Sequence, residues 1–341
     1  MTPPPARFPL DLEREIFETL AIMYPTTISH LLTVARRVRA WIEPLMYTAL
    51  SFKTGSPRLS GFLLAIQSKS AEFFRDNVRH LHIQYGCVKV DELLQILNVC
   101  TRLSTISLFD ADPQIIPYLD AMRLRSITIS LQRLLGAGPI LKNVAHPLFD
   151  NTTHLYIYDF IHSEDSASGL AALPSLTHLC VNLMVSRSFL CSVFADCARI
   201  QVLINLYFDK AHGWDLENIC DDLAIDDPRF VLIVVRIAEY RADWASGTRG
   251  GKDFWACASE FVAKKQRGEI QPDYPSLVLT WFADWVPFGL SDGCRGKGCS
   301  RSSDHSGWNV IRETRFQRVT HVRNAPSPWL SLWPSNICDD R

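Results

Sequence analysis

Seven short runs of apolar or alternating residues recur between residues 78 and 235 at a nearly regular spacing. Each run has the length and composition of a β-strand. Between their central residues the steps are 25, 21, 28, 24, 24 and 30, counted from Leu81 through Ile106, Ile127, Leu155, Leu179, Leu203 and Ile233. A step of this size leaves room for one strand and one helix or turn in each unit. The spacing therefore predicts a series of similar α/β units.

Helix-sized segments lie between the predicted strands, at residues 91–100, 113–122, 186–197 and 215–224. A single strand–helix unit exposes an apolar flank and buries it by stacking on its neighbours. The period resembles that of leucine-rich repeats, and the spacing L-x-x-L-x-L occurs loosely at residues 173–179, shortly before Asn182 at the turn position. We therefore expect an irregular leucine-rich-repeat-like α/β solenoid over residues 78–280. An ordinary α/β domain with evenly spaced strands is the alternative.

The two ends of the chain differ from this pattern. A Gly-rich loop at residues 246–252 precedes a predicted terminal helix at residues 253–267, which we expect to cover the exposed edge of the last repeat. Residues 281–341 have no sustained periodicity and are predicted to be a largely disordered tail. Residues 1–7 are also predicted to be disordered.

Residues 8–50 predict a module of three short helices. The first sets Leu12, Ile16, Phe17 and Leu20 at helical spacing. Pro25 ends it, because a proline disfavours helical geometry at the residue before it. A second helix is expected to carry Ile28 to Val38, with arginines at its C-terminal end, and a third to follow from Trp41. Residues 51–77 are expected to form a connector and one linking helix.

The apolar positions of this module are too numerous for the core of 43 residues. The surplus either packs on the rest of the chain or forms a docking face for another protein. Both alternatives remain open from the residues alone.

The module resembles the F-box proteins, in particular the F-box-like proteins of mushroom-forming fungi. The family's opening Leu-Pro pattern corresponds to residues 8–10 (FPL), and its Ile-hydrophobic pair to residues 16–17 (IF). Residues 34–38 (VARRV) with Trp41 correspond to its Val-Cys-Arg-x-Trp element, although the Cys is missing and the Trp comes late. Residues 46–47 (MY) stand in place of the terminal Leu-Trp pair.

This resemblance implies a partner and a role. The partner would be a Skp-family adaptor, and through it a cullin of a RING-type ubiquitin ligase. The residues implied in adaptor binding are Pro9, Leu10, Ile16, Val34, Trp41 and Tyr47. Such a protein is a substrate receptor and no enzyme, because it brings a target protein close to a ubiquitin-charged enzyme and contributes proximity.

The net charge of −1 gives no electrostatic case for binding nucleic acid or a membrane surface. No signal peptide or run of 18 apolar residues is present. We therefore expect an intracellular protein, cytoplasmic or nuclear. The ten cysteines are scattered, and several lie in apolar periodic segments, which predicts buried free thiols at Cys100, Cys180, Cys191 and Cys197.

Sequence motifs for catalysis or cofactor binding are lacking. The chain contains no P-loop, no G-x-S-x-G elbow and no H-E-x-x-H. The Gly-Ala-Gly at residues 136–138 lacks the third glycine of a dinucleotide loop. Three potential zinc ligands occur at Cys294, Cys299 and His305, but the fourth ligand of a structural zinc site is missing. We expect no cofactor and no metal.

Strand alternation places several His and Tyr residues on one side of the predicted sheet. These residues would form an aromatic and polar stripe along the inner face, and such residues are favoured at binding surfaces. The predicted target-binding residues are His82, Tyr156, Tyr158 and His178. Ordinary exposed strand positions explain the pattern equally well.

For the whole chain, the alternatives to a ligase receptor are a leucine-rich scaffold or interaction protein and an enzyme with a site assembled from scattered residues.

Overall fold

The computed structural model describes residues 8–136, 141, 144–159, 161, 167–182, 185–209, 225–269 and 279–280. All of them belong to one compact unit, Met1–Trp281. The predictions for residues 1–7, for a helix at residues 215–224, for Cys294 and its neighbours and for the tail lie outside the described residues.

The fold is mixed α/β, built on one parallel sheet. In the described part of the chain, nine strands lie in the sheet in the order of the sequence, and each pairs in parallel with the next. They are β1 (Ala49–Phe52), β2 (His80–Ile83), β3 (Thr105–Leu108), β4 (Ser126–Ile129), β5 (His154–Ile157), β6 (His178–Asn182), β7 (Val202–Asp209), β8 (Phe230–Arg236) and β9 (Leu279–Thr280).

Twelve α-helices lie in the described part of the chain. They are α1 (Leu10–Met23), α2 (Ile28–Leu31), α3 (Arg36–Ile42), α4 (Pro57–Ser68), α5 (Ala71–Asn77), α6 (Val90–Val99), α7 (Ile116–Asp120), α8 (Leu131–Leu135), α9 (Ser168–Ala171), α10 (Arg187–Asp196), α11 (Ile237–Gly247) and α12 (Phe254–Gln266). Short 3₁₀ helices occupy Pro25–Thr27, Glu43–Tyr47, Pro113–Ile115 and Pro147–Phe149.

The central residues of the predicted strands pair with one another in the sheet. Leu81, Ile106, Ile127, Leu155, Leu179 and Leu203 pair in one continuous row across β2 to β7. The row continues to Phe230, and not to Ile233 as we expected, because Ile233 pairs with Leu206. At the other end it begins with Leu50 of β1, a strand that the sequence did not predict.

The main hydrophobic core lies between the sheet and the helices α4 to α10. The buried side chains of the strands alternate, so that the Leu81 row and the row two residues later point into this core. Serine side chains begin several of these helices by accepting a backbone N–H, at Ser56, Ser70, Ser130 and Ser186. Of the cysteines predicted to be buried, Cys100, Cys180 and Cys197 are buried and Cys191 is exposed.

The N-terminal helices differ from their predicted form. The second predicted helix is divided, because Ala35 is extended and α3 begins at Arg36. Arg36 and Arg37 therefore lie at the start of α3, where the helix dipole does not favour them, whereas Arg39 lies in its last turn. Arg37 pairs with Glu13 of α1. The third predicted helix is a 3₁₀ turn that contains Pro44, followed by β1. Two helices, α4 and α5, replace the single linking helix, because Ser70 caps a new start.

The terminal helix does not cover the edge of the last repeat, so that prediction is wrong. After β8 the chain forms α11 and α12, and these helices pack against the face of the sheet opposite the main core. Tyr240, Phe254, Phe261 and Val262 bury this face together with residues of β5 to β8. The sheet is therefore covered on both sides.

Candidate functional site

Exposed apolar side chains are concentrated at the N-terminal end of the described chain. Among the described residues, eleven large hydrophobic side chains are exposed, and nine of them lie between residues 8 and 46. These nine are Phe8, Leu10, Leu12, Ile16, Ile22, Met23, Tyr24, Val34 and Met46. We call residues 8–48, with α1, α2 and α3, the head.

The core of the head is small. Its buried members are Ala21, Leu31, Val38 and Ile42, with Phe17 and Leu20 partly buried against them. Helix α1 therefore carries two apolar stripes, of which one packs inward and the other faces out. The outer stripe, which we call the α1 face, forms an open groove lined by Leu12, Glu15, Ile16, Thr19, Leu20, Met23 and Tyr24. Exposed apolar surface of this kind marks interaction sites in soluble proteins.

One ion pair lies within the head and another joins the head to the end of α4. Within the head, Arg37 Nη2 donates to Glu13 Oε1 at 2.7 Å. Lys69, at the C-terminal end of α4, donates from Nζ to Glu43 Oε1 at 2.9 Å, and this pair is partly buried. The pKa of Glu43 is lowered, since the attraction of Lys69 and Arg39 outweighs the opposing effect of burial. The head is thus anchored on one side while the α1 face stays open.

The six residues implied in adaptor binding divide into two groups. Pro9, Leu10, Ile16 and Val34 are exposed, with 58% of Leu10 and 53% of Ile16 accessible. Trp41 is half-buried against the core of the head. Tyr47 packs its ring edge-on against Phe73 and Phe74, with centroid separations of 5.2 and 5.7 Å. Tyr47 therefore joins the head to the helical layer and does not belong to the α1 face.

The predicted target-binding stripe is brought together on one face but is not exposed. His82 is 3% accessible and Tyr156 is fully buried, while Tyr158 and His178 are half-buried. The rings of Tyr240 and Trp244 on α11 contact His82, and that of Trp255 on α12 contacts His178. The expectation of an open stripe is wrong, because α11 and α12 occupy the surface that a target would need.

The row at the start of the strands is polar. His80, Thr105, Ser126, His154 and His178 are mutual partners across β2 to β6. The first four of these residues, together with Trp244, Trp255 and Ser259, line a cavity of about 310 Å³ between the sheet and the two helices. Burial lowers the pKa of His82, His154 and His178 to about 4, so these imidazoles are neutral at pH 7.

A Ser–His pair lines this region without the arrangement of an activated nucleophile. Ser259 Oγ lies 3.1 Å from His178 Nε2 and donates its proton to the Trp255 carbonyl at 2.7 Å. Thr177 Oγ1 lies 2.8 Å from Nδ1 of the same ring and donates its own proton to the Thr153 carbonyl at 3.2 Å. A base for Ser259 would have to receive the proton that Ser259 donates to the Trp255 carbonyl. The pair therefore acts as a structural link between α12 and β6.

One carboxylate in this region has a strongly altered pKa. Burial raises the pKa of Asp243 on α11 to about 8. The negative charge of nearby Asp253 also raises this pKa, whereas the hydrogen bond that Asp243 Oδ2 accepts from Phe254 N–H lowers it. Sequence reasoning missed Asp243, Tyr240 and Trp244. The spacing of Tyr240 and Trp244, four residues apart, is the one local sign of an apolar helical face.

Within the described ranges, no group of three or more His, Cys, Asp or Glu side chains is placed to hold a metal ion. In those same ranges, no helix has both the length and the apolar character required to cross a membrane.

Comparison of the chain with family models, with curated proteins and with solved structures found no match.

Proposed function

We propose that this chain is the substrate-recognition subunit of a cullin–RING ubiquitin ligase. The head binds a Skp-family adaptor, and the rest of the chain binds a target protein. The observation that carries the proposal is the α1 face, where Leu12, Ile16 and Met23 stay open on a helix whose other side is already packed. The F-box-like pattern of the head, to which Ile16 belongs, supports it.

We also propose that the fold joins an F-box-like helical head to an irregular leucine-rich-repeat-like solenoid. Each of the strands β2 to β7 is one step of a parallel sheet, with helical segments on the side of the main core. This arrangement supports an irregular leucine-rich-repeat-like solenoid joined to an F-box-like helical head. The role of the solenoid is to hold an as yet unidentified target protein, so its contribution to ubiquitin transfer is proximity.

Adaptor binding separates this proposal from its main alternative, a non-ligase scaffold or interaction protein. The specific observation that favours the scaffold is the burial of His82 and Tyr156, which removes the surface that the sequence suggested for a target. In a scaffold, the exposed apolar side chains of the head would bind a partner other than the adaptor, or no partner.

The test is co-purification of the full chain with a recombinant Skp-family adaptor. We compare wild type with Leu10→Asp and Ile16→Asp, singly and together. Leu64→Asp is the matched control, because Leu64 is 64% exposed on α4 and lies outside the head. Circular dichroism and a thermal melt check that each variant folds.

The proposal expects adaptor binding by wild type and by Leu64→Asp, and a loss of at least about tenfold for the double variant, since central apolar contacts carry most of the energy of an interface. Absence of binding by folded wild type contradicts the receptor and favours the scaffold. Equal binding by all variants contradicts the α1 face as the docking surface.

A further inference from the structure

The first strand of the sheet lies at an open edge. β1 pairs with β2 on one side, and among the described residues no strand pairs with its other side. His80 N–H donates to Thr48 O and Gln84 N–H donates to Phe52 O, both at 3.0 Å. In a parallel ladder the residues of one strand bond alternately to the two sides. The backbone N–H and C=O groups of Ala49 and Ser51 therefore point away from β2.

This edge forms the floor of a cleft of about 630 Å³. One wall is the head, with Ile22, Pro25 and Met46. The second wall is α4, with Arg58 and Phe62, and the third is the turn after α11, with Thr248 and Arg249. Exposed edge strands with free backbone groups are templates for the addition of another strand.

The cleft shares no residue with the α1 face. An adaptor seated on Leu12, Ile16 and Met23 therefore leaves the residues of the cleft free for a second partner.

The charges of the cleft indicate the kind of strand that fits. Arg58 and Arg249 line it, and no Asp or Glu does. Neither arginine forms an ion pair with another described residue. In addition, Ser51 Oγ is buried and has no hydrogen-bond partner within the described ranges. An occupant that carries acidic side chains would pair the arginines while its backbone satisfies β1.

We propose that the cleft along β1 binds an extended, acidic peptide segment of a partner protein by addition of a parallel or antiparallel strand to the edge of the sheet. Backbone hydrogen bonds to Ala49 and Ser51 supply the affinity. Arg58 and Arg249 select acidic side chains, and the apolar wall with Ile22 and Met46 receives the alternate side chains. That this partner is a ubiquitination target rests on the proposed function. Peptide binding itself needs no adaptor.

The test is selection of a random decapeptide phage library on the immobilised full chain, followed by affinity measurement on synthetic peptides from the selection. The proposal expects enriched sequences rich in Asp or Glu among β-forming residues. Arg58→Glu with Arg249→Glu should weaken the selected peptide by at least about tenfold. The control of equal charge change is Arg123→Glu with Arg125→Glu, at two exposed arginines before β4, which should keep binding within about threefold.

A second pair of variants tests the backbone contact. Ser51→Pro removes one N–H that points away from β2, and edge strands tolerate proline at such positions. It should abolish peptide binding, whereas Ser51→Ala should keep it within about threefold. Should Ser51→Pro fail to fold in a urea titration, N-methylation of alternate amides in the selected peptide tests the same hydrogen bonds in the wild-type chain.

Three outcomes overturn the inference: no enrichment, enrichment of basic or non-extended peptides, and a selected peptide that binds equally to the charge-reversed variant. Leu10→Asp with Ile16→Asp should leave peptide binding unchanged. A wild-type chain that binds the peptide and no adaptor would contradict the proposed function alone, and a wild-type chain that binds the adaptor and no peptide would contradict this inference alone.

Discussion

The imidazole rings of His154 and His178 stack with their centroids 4.1 Å apart and their planes 12° from parallel. They occupy equivalent positions of β5 and β6, and Trp255 of α12 packs edge-on against both. Two protonated rings would repel each other at this separation. The stack therefore depends on neutral histidines, and it is a direct consequence of the covering of the sheet by α12.

The pH dependence of stability follows from these rings. The folded-state pKa of His154 and His178 is about 4, below the ordinary value of 6.5. Between pH 6.5 and 4 the unfolded chain binds protons that the folded chain does not, so stability should fall as the pH is lowered through this range. Replacing both by Asn should reduce the slope by at most about 1.4 kcal/mol per pH unit for each histidine. Urea titrations from pH 7.5 to 4.5 measure it, and equal slopes for variant and wild type would refute the prediction.

Asp243 should have the opposite effect. Its folded-state pKa is about 8, raised from 3.8 by burial, so the folded chain holds a proton that the unfolded chain releases between these values. The contribution of Asp243 to the stability of the folded chain therefore becomes more unfavourable as the pH rises from about 4 to 8. Asp243→Asn keeps an acceptor for Phe254 N–H and should stabilise the protein, with a gain that grows over this range. Urea midpoints at pH 5 and pH 8 test this, and a gain that is constant with pH argues against a buried neutral carboxyl.

Two tyrosines on the covered face provide a matched pair. The Tyr156 hydroxyl is buried without a hydrogen-bond partner in the described structure, whereas that of Tyr240 is hydrogen-bonded to Thr128 and Ser107. Removal of an unpaired buried hydroxyl relieves a desolvation penalty, and removal of a paired one leaves its partners unsatisfied. Tyr156→Phe should stabilise by about 1 kcal/mol and Tyr240→Phe should destabilise by about 1 kcal/mol. Chemical denaturation gives both values, and a destabilising Tyr156→Phe would show that its hydroxyl is paired.

Asp159 links two neighbouring units of the fold. It is buried, and its carboxylate accepts from the Ser130 hydroxyl and from the backbone N–H groups of Leu131 and Gln132 at the start of α8. Asp159→Ala should destabilise by about 2–3 kcal/mol, because buried donors lose a charged acceptor. The control is Asp112→Ala, which removes an exposed capping carboxylate from Gln114 N–H and should cost about 1 kcal/mol. Equal losses of the free energy of unfolding in the two variants would contradict the larger contribution expected of the buried carboxylate of Asp159.

The sequence predicted the sheet better than it predicted what covers the sheet. The row from Leu81 to Leu203 could be found because each strand repeats the same local alternation. β1 was missed, since Ala49 and Leu50 directly follow the head and lie outside the period. The position of α11 and α12 was missed because an apolar residue such as Phe254 signals burial without saying against which surface.

The same distinction applies to the head. The surplus of apolar residues was predicted from composition and spacing, and Leu10 and Ile16 are exposed as that surplus requires. Tyr47 could not be assigned from the sequence, since its partners Phe73 and Phe74 belong to α5, more than twenty residues later in the chain. Exposure depends on contacts between distant segments, which a local pattern does not contain.

Hydrogen–deuterium exchange of the full chain with and without a Skp-family adaptor tests the docking of the head most directly. Amides that lie under a bound partner exchange more slowly, and the method reports them segment by segment. A bound adaptor should slow exchange across α1, from Leu10 to Met23, and near Val34, and should leave exchange in α6 and α10 unchanged. Exchange in α1 that is the same with and without saturating adaptor would contradict the docking of the head.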